Sequence, residues 1–235
     1  MAEPGDGTHA SLVATRDASD PSWELRPDRR GRDNSLLIGW PRRDHAVDAG
    51  VPGDVALLLA RALCGLGSLT FPHPMAYAFN PGPEWRPVLG GLACVLVPDP
   101  WRDRPSSHRL PLICTSDPEV ARTLFDAEGF SWELLSQVAV LTLGQLVPAR
   151  LDFSRWKALI ERSGRDLERS LTEAGVTAIL TPGVDGDVAE LITLPPLSYE
   201  DVEARLDEEC ARAGVTFRVV PESSFERALS AGHAE

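Results

Sequence analysis

Lysine is almost absent from this chain. Lys157 is the single one, and the other 22 of the 23 basic residues are arginine. A phosphate-binding Gly-Lys-Ser/Thr loop is therefore excluded, and any lysine-dependent chemistry would have to use that one residue. Long apolar runs are missing too. The longest, Val55–Ala60 and Leu92–Val97, are six residues each, against the roughly 20 that a membrane-spanning helix needs. Met1–Asp20 holds no apolar stretch, position 2 is not glycine and no lipidation box closes the sequence. Neither a secretory signal nor a lipid anchor is expected, and the cytoplasm is the expected location.

Close cysteine pairs are also lacking. Cys64, Cys94, Cys114 and Cys210 are separated by 30, 20 and 96 positions, which suits neither a zinc knuckle nor a redox motif. The first three stand in apolar runs and read as small buried hydrophobes. No Gly-x-Ser-x-Gly elbow, His-Glu-x-x-His helix, dinucleotide-binding glycine loop or Asp-rich calcium loop occurs. Those motifs are local, so their absence weighs against the chemistries they carry. It leaves open an enzyme whose groups converge from distant segments. No cofactor and no metal is expected.

What is present is acid. The 235 residues carry 35 Asp and Glu and a formal net charge of −12, with a pI near 4.9. Such a chain repels a phosphate backbone, so nucleic acid is not an expected partner. Arg26, Arg29, Arg30, Arg32, Arg42 and Arg43 run against this trend. Glu24, Asp28, Asp33, Asp44 and Asp48 lie among them, and the local net is only +1.

The pattern of apolar residues predicts an α+β protein with a mixed or antiparallel sheet covered by helices. Residues 1–33 are rich in Gly, Asp, Ser, Pro and Arg and read as a disordered or loosely attached segment. Residues 34–235 read as one α+β domain, divisible into a Pro-rich half, 34–130, and a second half, 131–235. Leu36–Trp40 reads as a strand, and Asp54 caps a helix over 55–66 that Gly65 and Gly67 end. Nine prolines between 72 and 111 imply loops around two strands, Leu92–Val97 and Leu110–Thr115. Ser116-Asp117-Pro118-Glu119 is a helix start.

In the second half, strands are expected at 137–143, 176–180, 188–194 and 215–220. Helical stretches are expected at 152–174, 199–213 and 225–229. Asp185-Gly186 marks a hairpin turn, which also accounts for the grouping of Asp185, Asp187 and Glu190. The resulting β-α-β-β-α-β order is that of a ferredoxin-like sheet. The peptide Gly50–Ala56 repeats at Gly183–Ala189 with one mismatch. One copy opens an expected helix and the other an expected strand, so the echo is read as coincidence.

Candidate chemistry is sparse. His9 and His233 lie near the termini. Asp44-His45 places a carboxylate beside an imidazole, the pairing a general base or metal ligand uses. His73 stands between Pro72 and Pro74, and His108 follows Ser106-Ser107. These four, Asp44, His45, His73 and His108, are the candidates for a dispersed catalytic site. Trp85 and Trp101 sit on Pro-rich loops, where a large rigid side chain can anchor a partner, whereas Trp132 and Trp156 fall on helical faces. The helix at 199–213 carries Glu200, Asp201, Glu203, Asp207, Glu208 and Glu209 against two arginines, a net of −4. Glu203, Asp207, Glu208 and Glu209, with Trp85 and Trp101, are the expected partner-binding residues. The function expected is a non-catalytic binding protein, of inhibitor, immunity or regulatory type, docking a basic protein through an acidic face. The alternatives are an enzyme with a dispersed His/Asp site, or a small-molecule sensor on the sheet face.

Overall fold

The computed structural model describes residues 11–16, 35–40, 53–72, 94–98, 109–126, 139–142, 167–182 and 188–230. Among these residues nine strands form one sheet: β1 (Ser11–Arg16), β2 (Ser35–Gly39), β3 (Ser68–Pro72), β4 (Cys94–Pro98), β5 (Arg109–Thr115), β6 (Ala139–Thr142), β7 (Val176–Pro182), β8 (Val188–Thr193) and β9 (Thr216–Val219). The helices are α1 (Gly53–Cys64), α2 (Pro118–Asp126), α3 (Leu167–Glu173), α4 (Tyr199–Ala213) and α5 (Glu222–Ser230). The α+β class is as the sequence implies.

Local chemistry explains several element ends. At α2, the Asp117 side chain accepts from the Glu119 N–H at 2.9 Å, directly before the helix, as a polar residue ahead of proline implies. At the far end of α4, Gly214 adopts φ 71°, and the next N–H, that of Val215, reaches back to the Cys210 carbonyl at 2.9 Å. Glycine suits that left-handed position because it has no Cβ to clash.

The strands lie in the order β4-β5-β3-β6-β7-β8-β2-β1-β9. Every neighbouring pair is antiparallel except β1 and β9, which are parallel. Three helical crossovers, β2-α1-β3, β5-α2-β6 and β8-α4-β9, each join strands that point the same way. The first travels toward the β4 edge; the other two travel toward the β9 edge along strands of opposite direction. Reversing both the strand direction and the sense of travel leaves the crossover on the same face, so one common hand puts all three helices on one side. The main core agrees: Leu59 and Leu63 of α1, Phe125 of α2 and Val202 and Leu206 of α4 pack with Leu12, Ala14, Leu36, Ile38, Leu180 and Leu191 of the sheet. Trp40, immediately after β2, is buried in the same cluster.

Strand side chains alternate between faces. Val13 therefore looks the other way, where Phe225 and Leu229 of α5 cover it and Leu37 and Val188 pack alongside. Central strands are thus buried on both faces.

The structure departs from the sequence reading at several places. Ser11–Arg16, assigned to the loosely attached segment, forms a strand with buried Leu12, Val13, Ala14 and Thr15. Its mixed composition hid it, because β2 and β9 supply the order that composition does not. Ser68–Pro72, which ends on the first of the nine prolines, is a strand between β5 and β6. The ferredoxin-like pairing is not formed. Among the described residues the chain runs β6-α3-β7-β8-α4-β9, but β6 pairs directly with β7, β8 lies between β7 and β2, and β9 pairs with β1. A ferredoxin-like sheet would close those four strands on one another. Here two strands from the N-terminal part stand between β8 and β9, since order along the chain does not specify neighbours in a sheet. The boundary at 130 likewise runs through the sheet, which joins β3 to β6 and β2 to β8.

The hairpin reading of Asp185-Gly186 agrees with the antiparallel β7–β8 pair, although the turn itself lies outside the described residues. The echoed peptide takes two forms: Gly53–Ala56 opens α1, and Val188-Ala189 opens β8.

Candidate functional site: the acidic helix α4

Helix α4 begins with a reciprocal cap. The Ser198 hydroxyl accepts from the Asp201 N–H at 3.2 Å. The Asp201 carboxylate accepts from the Ser198 N–H at 3.0 Å and from its hydroxyl at 2.9 Å. These bonds, the backbone one foremost, hold the Asp201 carboxyl below its ordinary value of 3.8. Glu200 is lowered as well, chiefly by its own backbone N–H and then by the hydrogen bonds of Tyr199 and Ser198. Charge at a helix N-terminus is favoured by the exposed N–H groups there.

Helical spacing divides the six acids. Val202, Leu206, Glu209 and Cys210 face the core. On the opposite side Glu200, Ala204, Asp207 and Ala211 form one exposed row, with exposed Glu208 beside it. That row follows from the 3.6-residue repeat, which superimposes positions seven apart.

Most of the negative charge off this row is met inside the molecule. The Arg16 guanidinium, at the end of β1, donates to both Glu203 oxygens at 2.7 and 2.5 Å, and the Glu203 side chain is only 12% exposed. Arg16 also stacks over the Tyr199 ring, 4.6 Å from its centroid, a favourable cation–π arrangement. The hydrogen bond to Glu203 pushes the Arg16 pKa upward, so this group stays charged. Glu209 is 3% exposed and accepts from Arg212 through Oε1; its Oε2 has no hydrogen-bond partner among the described residues. Arg212 also donates to Glu208 at 2.8 Å, and Arg205 donates to the same carboxylate at 2.5 Å. Arg205 reaches across to the end of α1: a Cβ on Gly65 would lie 2.1 Å from its Nη2.

Of the four acids expected in a docking surface, Asp207 and Glu208 are therefore exposed, while Glu203 and Glu209 are held within the fold. Helical spacing sets Val202, Leu206, Cys210 and Ala213 on one stripe; the first three are buried with Glu209, whereas Ala213, in the last turn, is exposed. Glu200, not among those four acids, lies on the exposed row. Trp85, Trp101, Asp44, His45, His73 and His108 lie outside the described residues, as does the side chain of Cys94.

Among the described residues no group of three His, Cys, Asp or Glu side chains converges on a metal-sized site. No described helix is long and apolar enough to cross a membrane. Cys64 and Cys114 are half-buried and Cys210 is buried, all three free thiols. Burial pushes Cys64 and Cys210 up to about 11 and raises Cys114 as well. A thiol so shifted is a poor nucleophile at neutral pH, because the thiolate is the reactive form. Glu190, grouped in the sequence with the hairpin turn, is a buried strand residue of β8 opposite Leu37 and Thr181.

Comparison with known proteins gave no matching family model, no matching curated protein and no matching solved structure. The described residues define an α+β protein whose nine strands form one mostly antiparallel sheet.

Proposed function

We propose that this protein is a non-catalytic binding protein that docks a basic protein partner through the outer face of α4. The observation that carries this reading is the exposed row Glu200, Ala204, Asp207 and Ala211, with Glu208 beside it. Two small residues between acids leave a flat face that a partner backbone can approach closely. The reciprocal cap and the arginine pairs hold the helix in place, so docking orders few new groups. The surrounding excess of acid steers a cation-bearing surface toward the face.

The test is co-purification from native cells with washes of rising salt, comparing the unaltered chain with the variant Glu200→Gln/Asp207→Asn/Glu208→Gln. The expected result is one basic protein in stoichiometric amount, released as salt screens the contact over about 10 Å and shorter distances, and lost from the triple variant. A partner that stays bound to the triple variant, or no basic partner at any salt, overturns the proposal.

A further inference from the structure

Strand β9 is the last of the sheet, and its outer side has no paired strand among the described residues. The Val220 N–H donates to the Ala14 carbonyl at 2.8 Å. In a parallel pair, alternate residues turn their backbone groups to the neighbour. Thr216, Arg218 and Val220 therefore face β1, and the N–H and C=O groups of Phe217 and Val219 point away from it. Along this outer edge Thr216, Arg218 and Val219 are all exposed. Val219, at 43%, is the one exposed large hydrophobic residue among those described. An apolar side chain and ladder groups unpaired among the described residues thus coincide at one place, the combination that strand addition uses.

We propose that the β9 edge binds an extended segment of another protein, one that alternates apolar residues with an acidic residue at its centre. The side chains decide the occupant. Register sets Arg218 beside Val13, on the face that α5 covers, and Val219 beside Ala14, on the face of the main core. A docked strand would meet Val219 on one face and the exposed guanidinium of Arg218 on the other, so an acid opposite Arg218 completes the pair. A second copy of this chain fits less well. Antiparallel self-pairing that bonds Phe217 of one copy to Val219 of the other sets Arg218 against Arg218, and like charges directly opposite are destabilising. This site asks for negative charge, whereas the α4 face asks for positive charge, so the two proposals stand or fall separately.

The experiment is selection of a random heptapeptide display library on the full chain, followed by anisotropy titration of the enriched peptide made synthetically. Enriched sequences are expected to alternate apolar residues around a central Asp or Glu. Arg218→Glu should change that centre to Lys or Arg. Val219→Pro removes an outward N–H and none of the donors to β1, a substitution an edge strand tolerates; it should weaken binding about tenfold, the equivalent of a lost hydrogen bond. Methylating the peptide nitrogens that face β9 should do the same with the protein unaltered. No enrichment, enrichment without a central acid, or binding indifferent to N-methylation overturns the proposal. Sedimentation showing a dimer that Val219→Pro dissolves would overturn it in favour of self-pairing.

Discussion

Gly39 shows how one atom sets the position of a helix. It is buried in β2 directly beneath α5. A Cβ there would stand 2.6 Å from a Leu229 methyl and 2.8 Å from the edge of the Phe225 ring. Both side chains belong to the cluster that also holds Val13, so neither is free to swing away. Overpacking of this kind typically costs about 1–3 kcal/mol. Gly39→Ala is expected to lower stability by that amount in urea unfolding, and to speed amide exchange in α5 more than in α1, which packs on the other face. Equal exchange in both helices would mean that the glycine is not the seat of α5. Nothing in the sequence marks Gly39 for this role. It stands inside the apolar run 36–40, and only the approach of α5 gives its missing side chain a meaning. The same holds at Gly65, which reads as a helix stop and also makes room for Arg205.

At the scale of elements, the helices were more legible than the strands. The apolar stripe of α4 and the start of α2 are local signals; the start of α2 appears where its residues imply, and the stripe does so at Val202, Leu206 and Cys210 but not at exposed Ala213. The strands β1 and β3 were not legible, because six and five residues of mixed character gain their order from neighbours far away in the chain. The acidic face was legible only in part: helical spacing gives the exposed row, but nothing near Glu203 in the sequence announces Arg16, 187 positions away. The cap of α4 is local enough to test alone. Ser198→Ala should cost about 1 kcal/mol at neutral pH, the usual loss for such a cap. The acid dependence follows from Asp201. Its carboxyl is held below the ordinary 3.8 in the folded chain, so its contribution is complete above that value and is lost as pH falls through the lower folded value. Asp201→Asn should therefore flatten the decline in stability below pH 3.8, seen as a smaller difference between urea midpoints at neutral and acid pH. A decline as steep as in the unaltered chain would mean that other carboxylates govern it.

For the whole molecule, β1 is the strand on which both layers depend. It is the partner of β9, it pairs with β2, and Arg16 at its end ties it to α4. Its two central apolar residues serve opposite faces: Leu12 enters the main core beneath the crossover helices, and Val13 enters the cluster under α5. A strand from the first sixteen residues thus helps to seat the last strand and two helices of the C-terminal part. The sheet therefore depends on contacts of long sequence separation, in which chain closure precedes stabilisation and folding is slow. Leu12→Ala separates this arrangement from a loosely attached segment. Leu12 is fully buried, and truncating a buried leucine leaves both lost transfer energy and a cavity, together about 2–5 kcal/mol. Urea unfolding is expected to shift its midpoint accordingly at an unchanged slope, with amide protection falling in β9 as well as in β1. In a loose segment the same substitution would leave midpoint and protection where they were, and that result would remove β1 from the folded sheet.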